Sequence, residues 1–386
     1  VTGSVLRASN RVRVTAHLVK AANEESLWNE GYERELRDVL ALQNEIVSSI
    51  SQAISLQLSP QEHARLAKAR PVNPEAHEAY LKGMFHLNKR TPEGFKRGLE
   101  LLQQAIEKNP GEPLPYAGLA LGIGIIAHGQ GFVTPVVDFP RARAAALKAL
   151  ELDDSSPQAH LALATVKLYH DYDWDGAERE FRRALELDPS LADAYLFHSW
   201  LLVLFGRTEE ASVEARKARD LDPLSPLATA WLGWHYWRFL GEPDRAIEEA
   251  RKALEIDPSL PDALYVLGGA YAQKKMFEQA LAARKKLAEV NPDWRFGLAE
   301  LHVEAGRKDE ALKVVADMER ENYAKHALLI AQVQRMLGDK EETIRALQAA
   351  YQYRHIWLPW DINDETFPWL SDPRYLELRR RLNFPG

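Results

Sequence analysis

The chain has 386 residues, 46 % hydrophobic and 27 % charged, so a large core is available and disorder is not expected. A net charge of −7, from 49 basic and 56 acidic residues, gives no bulk attraction to nucleic acid or anionic lipid. The absence of cysteine excludes disulfides and thiolate metal sites. The most apolar stretch, Leu114 to Ala127, is broken by Gly118, Gly122 and Gly124 and falls short of the roughly 20 residues that span a bilayer.

Residues 1–33 follow a strand period. Val12, Val14, Ala16 and Leu18 alternate with Arg11, Arg13, Thr15 and His17, which predicts a half-buried strand. Ser9-Asn10 marks a turn after a short strand, Ser4 to Ala8, and Ser26 to Arg34 gives a third strand carrying Trp28 and Tyr32. A helix follows from Leu36 to Leu58, with Leu40, Ile46, Val47, Ile50 and Ile54 on its apolar side. Ser59-Pro60-Gln61-Glu62 opens a short helix towards Ala69, and Pro71 to Pro74 links onward.

Three strands and one helix make a poor core alone, and Val1 already stands inside the strand pattern. The chain therefore reads as the carboxyl-terminal part of something longer. The phrases Gly3-Ser-Val-Leu-Arg7, Asn10-Arg-Val-Arg-Val-Thr-Ala-His-Leu18, Ser26-Leu-Trp-Asn-Glu-Gly-Tyr32 and Leu42-Gln-Asn-Glu-Ile46 resemble the second half of a TolB-like domain. That resemblance implies a large bacterial signalling protein in which helical repeats follow the domain. Upstream it implies a winged-helix DNA-binding domain, a protein kinase or a nucleotide cyclase, often with a membrane span between. No such output domain is recognisable in these 386 residues.

From residue 75 the pattern is internal repetition. Ala-Leu-Glu-Leu-Asp-Pro or a variant recurs at Ala105 to Pro110, Ala149 to Asp154, Ala184 to Pro189, Ala218 to Pro223, Ala253 to Pro258 and Leu287 to Pro292. The last four prolines are 34, 35 and 34 residues apart. Small residues must face each other where two antiparallel helices touch. Gly233, Gly268 and Ala299 supply them on first helices; Ala177, Ala211, Ala246, Ala280 and Ala311 supply them on second helices. The closing proline ends each hairpin because it has no amide donor.

This pattern resembles the tetratricopeptide family over about residues 75 to 354, and a period of 34 is that family's. Eight units follow, roughly 75–110, 113–154, 157–189, 191–223, 226–258, 260–292, 293–322 and 324–354. The second carries an insert, His128 to Phe139, read as a packed loop or a lid over the groove. Tyr172-Asp-Trp-Asp-Gly-Ala-Glu178 and Leu370-Ser-Asp-Pro-Arg-Tyr-Leu-Glu-Leu378 resemble the arrays of the same signalling proteins. At the end, Trp357, Trp360, Phe367, Trp369 and Tyr375 precede a helix with Arg379 to Arg381, the composition of a cap over the last hairpin's uncovered face.

Chemistry is sparse. Asp171-Tyr-Asp173-Trp-Asp175-Gly176 imitates the start of a calcium loop, but the twelfth position is Arg182 where a bidentate Glu belongs. The string falls between two helices, where capping acids are expected anyway. The twelve histidines show no zinc spacing, and there is neither a phosphate loop nor a nucleophile elbow. No catalytic, cofactor or metal residue is therefore named.

The expectation is a mainly α fold: a tetratricopeptide-type α-solenoid, a right-handed superhelix of helical hairpins, after a small partial α/β segment. Its divisions are 1–58, 59–74, 75–354 and 355–386. First helices line the concave side, and the candidate partner-binding groove is Leu161, Tyr169, Leu196, Trp200, Leu204, Trp234, Trp237, Arg238 and Tyr265. For any one aromatic residue there, burial between neighbouring repeats is the competing reading. The functional expectation is a non-catalytic scaffold gripping a protein or peptide segment, on the cytoplasmic or periplasmic side of a bacterial signalling protein. No nucleic acid or membrane span is expected in this region. The alternative is an assembly scaffold, a homodimer through residues 3–33.

Overall fold

Strand β1 (Thr2–Ala8) pairs antiparallel with β2 (Arg11–Val19), placing Val5 opposite Val14, and β2 pairs with β3 (Ser26–Glu35), placing Val14 opposite Tyr32. In this computed structural model the described residues are 2–19, 26–53, 73–89, 91–127, 134–364 and 366–384. They form two compact units, residues 1–83 with 100–111, and residues 84–99 with 112–386.

In the first unit, helix α1 (Val39–Ala53) lies on β2 and β3 and closes a core of Val12, Tyr32 and Leu42, with Val14, Trp28 and Ile46 around it. Gly3 is required: a side chain there would come within 2.2 Å of the Thr15 carbonyl oxygen. Val5 shares the face of Val14 yet is 71 % exposed. The predicted helix past residue 53 and the short helix from Ser59 to Ala69 lie outside the described residues. Asn73 caps the next helix, α2 (Pro74–Leu87), its side-chain oxygen accepting from the Glu75 and Ala76 amides.

The helical hairpins continue with α3 (Pro92–Lys108), α4 (Pro113–Ala127), α5 (Pro135–Leu152), α6 (Pro157–Val166) and α7 (Trp174–Leu187). Then come α8 (Ala192–Leu204), α9 (Thr208–Leu221), α10 (Pro226–Trp234), α11 (Pro243–Ile256), α12 (Pro261–Gln273) and α13 (Phe277–Val290). The Asp-Pro signature works as its chemistry requires. The Asp188, Asp222 and Asp257 amides donate to the carbonyls of Ala184, Ala218 and Ala253, and the proline then stops the ladder. Ala177, Ala211, Ala246, Ala280 and Ala311 are all fully buried at the helix contacts.

Helix α14 (Phe296–Glu304) precedes a long element, α15 (Lys308–Leu337), which Asn322 breaks with φ −166° and ψ 94°. The Asn322 side chain accepts from the Lys325 amide, so a new helix is capped inside the element. Helix α16 (Lys340–Tyr353) closes the last hairpin, and the tail holds α17 (Leu358–Ile362) and α18 (Pro373–Arg381). Residues 128–133 of the insert lie outside the described residues; its far end is the start of α5, where Phe139 is buried and stacked on His170.

Two features were not read from the sequence. Helices α6 and α10 each end in a π-type turn, Lys167–Asp171 and His235–Phe239, whose i→i+5 bonds widen the helix locally. The tail does pack on the last hairpin through Arg374–Glu341 (2.7 Å) and Lys340–Asp372 (2.9 Å). Its aromatic end, however, crosses to the third, fourth and fifth hairpins, because helix ends there leave carbonyls needing donors.

Candidate functional site: the concave wall and the tail

The wall is built by a 34-residue step. Phe197, Trp231 and Tyr265 occupy equivalent places on α8, α10 and α12, and each ring touches the next repeat. Phe197 meets Trp231 at 5.3 Å edge-on, and both are fully buried. The Trp231 indole donates to the buried Asp262 carboxylate at 2.9 Å, which fixes that ring. One turn further along, Trp200 and Trp234 line a cavity, 5.5 Å apart. Where the next tryptophan would fall the chain has Gly268, whose space is taken by Arg284, and beside it Gly269, against which the Trp237 indole packs. A side chain on Gly269 would sit 2.0 Å from the Trp237 ring.

Of the nine residues singled out by sequence, Trp200, Leu204, Trp234, Trp237, Arg238 and Tyr265 line one cavity of about 1020 Å³. Leu161, Tyr169 and Leu196 do not; all three are buried between helices. Within the lining, Trp234 and Trp237 are half-buried and Arg238 is exposed, whereas Trp200 is only 1 % exposed. Trp200 is covered by the tail.

That cover is specific. The Trp357 ring stacks on Trp234 at 5.8 Å and meets Trp200 edge-on at 4.9 Å. The Trp360 indole donates to the Trp200 carbonyl at 3.1 Å, and Asn363 donates to the Leu204 carbonyl at the end of α8 at 2.6 Å. At the first π-type turn the pattern repeats: Arg354 donates to the His170 carbonyl and Asn383 to the Tyr172 carbonyl, both at 3.1 Å. The Trp174 indole donates to the Leu382 carbonyl, and Phe384 stacks on Trp174 at 5.3 Å.

Several charges in the cavity are paired. Gln332 and Arg335 hold the tail's Asp361 and Asp364 at 2.7 and 3.0 Å. Burial would raise the Asp293 carboxyl, but hydrogen bonds and charge from His326 and Lys325 outweigh it and hold it at about 2. Arg284 lies over the Tyr265 ring at 3.9 Å and pairs with Glu300 at 3.6 Å. Burial and the neighbouring Glu300 raise the Glu304 carboxyl. Arg238 stands over the Trp237 ring at 6.0 Å with no ion pair to a described residue. An aromatic wall with scattered charges of both signs suits a polypeptide segment better than one small ion.

The wall residues Trp231, Trp294 and Phe296 were missed by sequence reading. Trp231 was legible, since it stands 34 residues after Phe197 and before Tyr265. No signal placed the tail against residues 160 positions earlier.

The calcium-like string does what capping acids do. Asp173 is the N-cap of α7, its carboxylate accepting from the Gly176 amide at 3.0 Å, and Asp171 pairs with Arg143 at 2.9 Å. Asp173→Ala is expected to cost about 1 kcal/mol in urea unfolding, with a melting temperature indifferent to added calcium. A rise with calcium would return the string to metal chemistry.

Residues 200–261 and 274–333 match family models described as tetratricopeptide repeat. The chain carries tetratricopeptide repeats. Its fold is like that of the anaphase-promoting-complex hetero-tetramer Cut9–Hcn1, with a TM-score of 0.50 at 15 % identity over 75 % of this chain and 52 % of that one. Yeast Tom70 gives 0.45 at 17 % identity, over 81 % of this chain and 69 % of that one. Among curated proteins, the putative adenylate cyclase 3 of Rhizobium meliloti (strain 1021) is 28 % identical over 163 residues, 42 % of this chain and 28 % of that protein. The transcriptional regulator HilA of Salmonella typhimurium (strain LT2) is 31 % identical over 144 residues, 37 % of this chain and 26 % of that protein. The chain thus spans between a quarter and a third of these relatives' length. Tetratricopeptide repeats serve protein–protein interaction, as stacked hairpins offer an extended concave surface. Among the described residues no helix is long and apolar enough to cross a membrane.

Proposed function

We propose that the chain is the non-catalytic, partner-binding part of a larger bacterial signalling or transcription-regulating protein, and that the concave wall from α8 to α14 grips a protein segment. The observation that carries this is the surface of half-buried Trp234 and Trp237 with exposed Arg238, which lines a cavity of about 1020 Å³. Trp, Tyr and Arg are the residues that most often dominate binding energy. Likeness to part of a cyclase and part of a transcriptional regulator supports the signalling context. So does the resemblance of residues 3–58 to half of a TolB-like domain. The test is to pan a phage-displayed peptide library over the full chain and over Trp237→Ala and Arg238→Ala. Binders should lose at least tenfold in affinity on the variants, roughly 1.4 kcal/mol. Binders indifferent to both changes would refute the wall as the site.

A second reading, self-association through the first strands, is favoured by one observation. β1 is an edge strand of the described sheet, and its Val5 is 71 % exposed on the face that α1 covers elsewhere. An open apolar edge invites pairing. Val5→Lys should leave the melting temperature unchanged and abolish any dimer seen by light scattering; an unchanged solution mass would remove β1 as the association site.

A further inference from the structure

The tail that bounds the cavity is packed, with Ile356, Leu358 and Ile362 buried, so the cavity has fixed sides. Five carboxylates and five Lys or Arg side chains line it, and their formal charges cancel. Four of each sign are already engaged. Lys325 pairs with Asp293 at 2.8 Å and Arg335 with Asp364 at 3.0 Å, while Gln332 donates to Asp361 at 2.7 Å. Arg379 donates to the Ile362 carbonyl at 3.0 Å. Glu300 accepts from the Tyr265 hydroxyl at 3.1 Å and pairs with Arg284 at 3.6 Å. Arg284 is only 4 % exposed and occupies space that two glycines leave. A side chain on Gly268 or Gly297 would come within 2.9 or 2.7 Å of it.

One charge of each sign is left over. Arg238, in the π-type turn after α10, and Glu304, the last residue of α14, are both exposed at the cavity. Neither forms an ion pair or hydrogen bond with a described residue, although the charge of Arg238 reaches the Glu304 carboxyl. Tyr265 comes from α12, the first helix between theirs, and the rings of Trp234 and Trp237 lie 5.1 and 5.5 Å from it. An apolar floor with one free cation and one free carboxylate, in a cavity of about 1020 Å³, is built for a small ligand with two opposite charges and an apolar body.

We infer that the cavity binds a free α-amino acid with a large apolar side chain, its carboxylate on Arg238, its ammonium on Glu304 and its side chain against Trp237 and Tyr265. Such a ligand carries both charges on one carbon and no net charge, which matches a lining whose charges cancel. A nucleotide or other polyanion would need an excess of cations there. Both contacts are charge-assisted hydrogen bonds, the stronger kind. The inference goes beyond the reading that the wall grips a protein segment.

Isothermal titration calorimetry of the full chain with L-tryptophan, L-phenylalanine and L-leucine should show saturable binding of at least one. Arg238→Gln and Glu304→Gln, shown by melting curves to be folded, should each weaken that binding at least tenfold. The amide and the N-acetyl derivative of the bound amino acid should each bind the wild type at least tenfold more weakly. Amidation should then make no difference to Arg238→Gln, nor acetylation to Glu304→Gln. If a variant does not fold, the two derivatives decide on the wild type alone. Absence of saturable binding by all three amino acids, or affinity unchanged in both variants, would overturn the inference. Sensitivity to Arg238 and to amidation alone would make the ligand a simple carboxylate and overturn it as well. Library binders dependent on Trp237, found without amino-acid binding, would still uphold the wall as a protein-binding surface, so the two claims fail separately.

Discussion

Trp200→Ala is expected to lower the free energy of unfolding by about 3–5 kcal/mol, the range for deleting a large buried aromatic ring. Trp200 is 1 % exposed and meets Trp231, Trp234, Trp357 and Trp360 at 4.9 to 6.2 Å. Removing it opens a void between two repeats and also takes away the surface on which Trp357 rests. Trp237→Ala should cost less than about 2 kcal/mol, because that ring is only partly buried at the cavity edge and the void joins existing space. Urea unfolding of both variants measures the difference. Equal losses would mean that Trp237 is also core and would weaken its assignment to the binding surface.

A second large effect concerns acid. His235 is fully buried against Trp200 and Phe239 and shares a 3.2 Å hydrogen bond with Ser199. Burial pushes its imidazole down to about 3, and burial together with the charge of His326 does the same to His355. Both are depressed below the ordinary histidine value near 6.5. Their neutral forms therefore favour the folded state, and this contribution is complete above pH 6.5. It is lost as pH falls from 6.5 towards 3, at about 1.4 kcal/mol per pH unit for each group. His198 runs the other way. Burial would lower it, but hydrogen bonds and charge from Glu214 and Glu178 raise it, so its contribution is complete below 6.5 and fades as pH rises past its folded value. His235→Phe should remove one proton's worth of the acid-side slope in unfolding measured from pH 6 to pH 4. An unchanged slope would mean that water reaches the imidazole.

Most of the solenoid was legible in the sequence because its determinants are local. Asp-Pro closes a hairpin through bonds within five residues, and alanine at the helix contacts repeats at the period of the fold. The N-terminal strands were legible for the same reason, alternation in Val12, Val14 and Ala16 matching one covered face. The groove was half legible. Period alone distinguishes a first helix from a second, but Leu196 lies one turn from Trp200 on α8, Leu161 and Tyr169 stand on the hairpin before, and rotation about each helix axis decides burial. What covers Trp200 was not legible at all. Trp357 and Trp360 reach it across about 160 residues, and nothing in a tryptophan's local sequence states which distant carbonyl its indole meets.

The most direct measurement of the wall's role is photo-crosslinking in the native cell. A benzoyl-phenylalanine is placed either at Arg238, at the cavity mouth, or at Lys286, exposed on α13 and away from the cavity. The account predicts a discrete protein adduct from position 238 that is missing from position 286 and diminished when Trp237→Ala is added. An adduct at 286 with none at 238 would contradict it.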